Sequence, residues 1–350
     1  MSSTQATEQM SDAERTTRIR NVVSAAGADL RQRHPWLRHQ DAIGFGIFIA
    51  SIAGMIASGW LWYVGVLPFW LSIPLTAVFA AFIHELEHDL IHDLYFKKNR
   101  IVHHLMLALG WVARPSTINP WIRRGLHLHH HRHSGTESDI EERAITNGDK
   151  WGLARFIMTG DSVLAILLRL PHEPSNRVRV EMVIRALVAY FPLGWAFWGS
   201  WYLLLGFHGA NAVAGLTGNT IAWADSTLAL MEVMNVAAVV LIIPNIIRGF
   251  CLHFVSSNMH YYGDVEDRNI MQQCQVLNPW WLTPLQLFCF NFGSTHAIHH
   301  FVVREPFYVR QWTATAAHDV MREMGVRFND LGTFRRANRL HEVHAEPAGV

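Results

Sequence analysis

Between Ala42 and Ile83 the chain carries no Lys, Arg, Asp or Glu, a run long enough for two membrane crossings. The Gly-Val-Leu-Pro sequence at 65–68 reads as the turn that folds this run into a tight hairpin. A second apolar region, Ala186 to Ile247, is interrupted by a Gly- and Asn-rich stretch from His208 to Asp225. It predicts two more helices, over 183–206 and 226–248, each near the ~20 residues that span hydrocarbon. The shorter apolar stretches 101–113 and 155–170 predict interfacial or buried helices. The competing reading is a soluble helical bundle with an unusually apolar core.

Positive charge orients the four spans. Lys and Arg are absent between residues 39 and 96 and between 186 and 247, whereas residues 15–38 hold six Arg. Short loops bare of cations face out and the termini face the cytoplasm. The expected architecture is an all-α integral membrane protein: four transmembrane helices in two hairpins, under a cytoplasmic, histidine-rich helical cap. Residues 1–40 read as a cytoplasmic N-terminal segment, 41–310 as the membrane domain and 311–350 as a cytoplasmic tail. The polar opening, with no apolar run before residue 40, does not read as a cleavable signal peptide.

Composition agrees with a bilayer setting. Of 350 residues half are apolar and only 16% charged, below the quarter usual in soluble domains. The net charge of +1 gives no reason to expect a nucleic-acid partner. Cys251, Cys274 and Cys289, odd in number and without C-x-x-C spacing, read as free thiols.

The chemistry lies in the histidines. Fifteen of 22 fall within 84–133 and 253–300, and they cluster as His84-x-x-x-His88, His127-x-x-His130-His131 and His296-x-x-His299-His300. Imidazole is a common metal ligand, and eight at helical spacing exceed what one ion uses, so two ions are expected. Two further crossings separate the second cluster from the third, so all emerge on one face of the membrane. In AFIHELEHDLIHDLYF (81–96), His84, His88 and His92 stack along one helical face, where two grip a metal and the third lies off the site. In the second cluster His129 and His133 point away from the other three if the segment is helical.

These three boxes, HELEH (84–88), HLHHH (127–131) and HAIHH (296–300), resemble those of the membrane fatty-acid desaturase and hydroxylase superfamily, over about residues 42–310. The resemblance implies a non-haem centre of two irons, using O2 and held by His84, His88, His127, His130, His131, His296, His299 and His300. It also implies one more histidine after the fourth span, His260 in VSSNMHYYGD or else His253, with Asn258 joining through a water. Carboxylates near the boxes are candidates to orient the imidazoles. Asp139 is preferred, ahead of Glu85, Glu87, Asp89, Glu141 and Asp264. No catalytic residue is expected beyond the metal centre.

The implied activity is oxidation of a fatty acid or fatty-acyl chain, desaturation first. Oxidative decarboxylation of free fatty acids to 1-alkenes is the main alternative, faintly suggested by RPSTINPWIRR and ESDIEERAIT around box two, with acyl or carotenoid hydroxylation or ketolation beside it. Electrons are expected from a separate ferredoxin or cytochrome with its reductase. Two rivals come from other classes. HELEH is also the H-E-x-x-H motif of zinc metalloproteases, with Glu85 as base, but that leaves two boxes unexplained. A metal transporter fits the His-rich tract, though transporters place ligands near the bilayer midplane, not beyond the span ends.

Overall fold

The computed structural model describes residues 10–341; the first nine residues and His344 lie outside them. Helix α1, Asp12–Arg33, opens with a capping box: the Ser11 hydroxyl accepts from Glu14 N and the Glu14 carboxylate accepts from Ser11 N at 2.7 Å. The hairpin follows as α2, Gln40–Tyr63, and α3, Phe69–Ile91. Gly65 supplies its positive φ of 78° at the turn. Gly54 lets the two helices close, since a Cβ there would stand 2.5 Å from the Phe79 ring.

Next come α4, Arg100–Ala113, and α5, Pro120–His133. Asn119 caps α5 by accepting from Trp121 N and Ile122 N, with Pro120 at the first helical position. A short α6, Ile140–Ala144, is capped by Asp139. The stretch expected as one helix over 155–170 is two, α7 (Leu153–Gly160) and α8 (Ser162–Arg169). The break is Asp161, whose carboxylate accepts from Val163 N and Leu164 N at 3.0 Å and so starts a new helix.

The third apolar region also departs from expectation. It forms α9, Asn176–Tyr190, and α10, Leu193–Leu216, bent by 99° at Pro192, which brings no N–H to a continuing ladder. Helix α10 then runs on through the Gly-rich stretch read as loop, which shrinks to 217–224. Helix α11 extends from Asp225 to Met259, well past the expected end, with a π turn over Ala238–Ile242 just before Pro244. Two further helices, α12 (Phe292–Phe301) and α13 (Phe307–Glu323), close the fold.

Among the described residues three helices, α2, α3 and α11, are long and apolar enough to cross a membrane, and a fourth if the bent pair α9–α10 forms one span. Their outer faces expose large apolar side chains, Ile56, Trp60, Val233 and Leu216 among them. Beyond the span ends a second core joins α1, the end of α11, α12 and α13 through Ile19, Val255, Ile298 and Met321. Helix α1 is fastened there: Arg31 pairs with Glu305 at 2.6 Å and Arg20 Nε donates to Phe301 O.

Candidate metal centre

Nine buried or half-buried histidines converge in two adjoining groups. The first contains His88, His92, His127, His131 and His299; the second contains His130, His260, His296 and His300. Each H-x-x-H-H box is divided between them. On an α-helix of 3.6 residues per turn, i+4 falls about 40° to one side of i and i+3 about 60° to the other, so i and i+4 diverge least. Helix α5 therefore sends His127 and His131 one way and His130 the other, while α12 sends His299 to the first group and His296 and His300 to the second. The groups meet where the rings of His131 and His300 are 4.9 Å apart.

Within the first group, Nε2 of His92 is 3.1 Å from that of His127 and 3.0 Å from that of His299. Nε2 of His131 is likewise 3.1 Å from His127 and 3.0 Å from His299. Each Nε2 carries at most one proton, so two N–H···N bonds account for only two of these four contacts. Two imidazole nitrogens bound ~2.1 Å from an ion at right angles stand ~3.0 Å apart, so the spacing fits an ion. His88 adds a buried Nε2 with no hydrogen-bond partner. In the second group Nε2 of His300 lies 3.2 Å from His296 and 3.3 Å from His260.

At four of the nine the opposite ring nitrogen is held by an oxygen acceptor, which leaves Nε2 for a metal. His127 Nδ1 lies 2.9 Å from Glu141, His130 Nδ1 2.9 Å from Asp139, and His300 Nδ1 2.8 Å from Gln273 Oε1. His260 Nδ1 meets Ser256 O at 3.0 Å and Glu142 at 3.3 Å. Burial pushes His127, His131, His296, His299 and His300 below the ordinary imidazole range, and takes His92 down to about 2 and His260 down to about 3. Neutral imidazole is the form a metal binds. At His130 burial also acts downward, but the carboxylates of Asp139 and Glu142 outweigh it and raise the group to about 10.

Of the nine histidines expected as ligands, His84 alone falls outside both groups, and His92 stands in its place. His84 is one turn too early on α3: its Nδ1 faces Arg114 Nη1 at 3.2 Å and its ring lies against Phe292. His260 is present, whereas His253 is turned to Thr159 O. His129 and His133 lie outside, on Ser138 O and Asp267. Asn258 is engaged elsewhere, accepting from Trp151 Nε1 and donating to Phe254 O. Among the carboxylates, Asp139 and Glu141 reach the imidazoles. Glu85 and Asp89 face Arg310, Glu87 pairs with Arg114 and Arg123, and Asp264 accepts from Leu340 N and His341 N. Glu142 and Gln273 were not anticipated. Asp139 caps α6 by accepting from Glu142 N, and that D-x-x-E spacing was the available sign of Glu142.

A cavity of about 680 Å³ opens onto both groups, with His88, His127, His130, His260 and His296 in its wall. The remainder is largely apolar, including Ile118, Ile122, Met158, Val188 and Ile246. Residues 65–332 match the fatty acid desaturase family. The chain belongs to that family. No curated protein matches it. As a family member with these apolar helices it is an integral membrane oxidoreductase, and its buried imidazole clusters fit a metal site. The H-E-x-x-H zinc arrangement is not formed, because His84 does not join His88 and Glu85 faces Arg310.

Proposed function

We propose that this chain is an O2-dependent oxidase of fatty-acid or fatty-acyl chains that holds two irons, one in each histidine group. The observation that carries the reading is the single apolar cavity walled by histidines of both groups. His88, His92, His127, His131 and His299 would hold one ion, and His130, His260, His296 and His300 the other. Iron bound there supplies the oxidising power drawn from O2 that cleavage of an unactivated C–H bond needs.

The chain's own residues do the rest. Asp139, Glu141, Glu142 and Gln273 hold the Nδ1 protons and fix each ring's orientation. Apolar cavity walls exclude water and lay an acyl chain against the histidines. In desaturation, O2 takes two electrons and two protons from adjacent carbons, and two more electrons and two protons from outside, leaving an alkene and two waters. The outside electrons come from a ferredoxin or cytochrome with its reductase. The cation-free loops at the opposite end of the spans support a cytoplasmic position for this centre.

Desaturation is the first reading. A second, oxidation near the carboxyl end of a free fatty acid, is favoured by a buried arginine without an acidic partner in the same cavity, Arg248. Purified protein in lipid discs, analysed for iron and for fatty-acid-dependent O2 uptake, tests the oxidase. One zinc, or no O2 uptake after iron loading, would sink it. Mass spectrometry of lipids and volatiles then separates an internal alkene, a hydroxy acid and a terminal alkene one carbon shorter.

A further inference from the structure

Arg248 projects from α11 into the cavity wall and is 2% exposed. Its Nε and Nη1 have no hydrogen-bond partner, and its Nη2 reaches only the Ser116 hydroxyl at 3.5 Å. Among the described residues no carboxylate pairs with it. The nearby acids are already taken: Glu87 serves both Arg114 and Arg123, Glu85 and Asp89 face Arg310, and Glu141 holds His127. Arg248 also lies within electrostatic reach of Arg114 and Arg123, so its surroundings add positive charge. An unpaired buried guanidinium is costly, and an ionisable side chain on a membrane span marks a functional site.

What neutralises it must come through the cavity. The cavity's outer part is bordered by α9, where Arg185 is exposed; its deep part holds Arg248, His84 and Phe292. His84 is within reach of Arg248 and stands one helical turn before His88. An occupant therefore needs an anionic end for Arg248 and an apolar body for Ile118, Val188 and Ile246. Guanidinium forks match carboxylates, with two parallel N–H···O bonds from one edge.

We infer that Arg248 binds the carboxylate of an unesterified fatty acid, held carboxyl end inward beside the histidines. Ser116 stands ready to donate a further hydrogen bond to the same carboxylate. An acyl thioester or glycerolipid has no carboxylate at its acyl end, so that end leaves Arg248 unpaired. The inference deepens the proposed function by naming the substrate class, and it rests on that reading only for the reaction that follows binding.

The test is equilibrium binding of tritiated dodecanoate and of its methyl ester to the full chain in lipid discs, without O2. Wild type is expected to bind the acid at least tenfold more tightly than the ester, the range of a charge-assisted hydrogen bond. Arg248→Met is expected to bring that ratio to about one while ester binding persists, which reports an intact cavity. Arg248→Gln, neutral but polar, does the same if the Met variant fails to fold. Equal binding of acid and ester by wild type would overturn the inference. So would an unchanged ratio in the variants, or a ratio lost in Arg185→Met instead, which places the carboxylate at the mouth. The two readings fail separately. Arg248-dependent binding without iron or O2 uptake removes the oxidase and leaves this site, whereas O2 uptake driven equally by acid and ester removes the site and leaves the oxidase.

Discussion

His92 Nε2 lies 3.0 Å from His299 Nε2, across 207 residues of sequence and between the ends of α3 and α12. No corresponding contact ties His84, which sits about two turns lower on α3, with Arg114 at its ring nitrogen. His92→Ala should therefore lose metal from the first group, while His84→Ala keeps it. Iron per chain, measured on purified protein, checks this: the expected order is wild type equal to His84→Ala and above His92→Ala. The reverse order would return the first box to residues 84–88.

The sequence left that choice open for a physical reason. His84, His88 and His92 repeat at four-residue steps, so two equivalent H-x-x-x-H boxes overlap, and only the height at which α12 meets α3 selects one. The first hairpin was readable because forty charge-free residues with Gly65 and Pro68 in their middle allow little else. The third span was not. Its apolar run is continuous across Pro192, and nothing in hydropathy marks the bend. Asp161 hid in the same way, as one of several polar residues in a mainly apolar stretch, and its role as a cap appears only once its backbone partners are seen.

The carboxylates behind the imidazoles are expected to set metal affinity. Asp139→Asn keeps an oxygen for capping α6 but gives up the charge facing His130. Affinity in a chelator competition should fall about 10- to 100-fold. Gln273→Leu should weaken binding through His300 in the same assay. Unchanged affinity in both variants would mean that these oxygens merely fill space.

Asp89 holds the histidine-bearing end of α3 to α13. It accepts from Phe307 N at 2.9 Å, Tyr95 Oη at 3.0 Å and Arg310 Nη2 at 3.1 Å, and it is wholly buried. Asp89→Asn leaves the Arg310 guanidinium short of charge, a change that costs about 3–5 kcal/mol when a buried pair is broken. A clear drop in the thermal midpoint in detergent is expected. Asp264→Asn, at a half-buried site that accepts from Leu340 N and His341 N, should shift it far less.

Asp161→Ala should cost about 1 kcal/mol through the lost cap on α8. It also removes the acceptor for the Tyr202 hydroxyl at 2.8 Å. Hydrogen exchange should rise in residues 162–165 with little change in α12. Uniform protection across both segments would show that α8 is held by packing alone.

Helices α5 and α12 each serve both histidine groups, and this sharing reaches beyond the site's shape. An ion entering either group draws together the same two helices that carry ligands for the other, so the vacant half is already ordered when the next ion arrives. On the two-iron reading, loading is cooperative: titration should pass from empty to doubly filled protein with few singly filled molecules between. The same coupling makes the centre fail as a unit, because losing one ion loosens the grip on its neighbour.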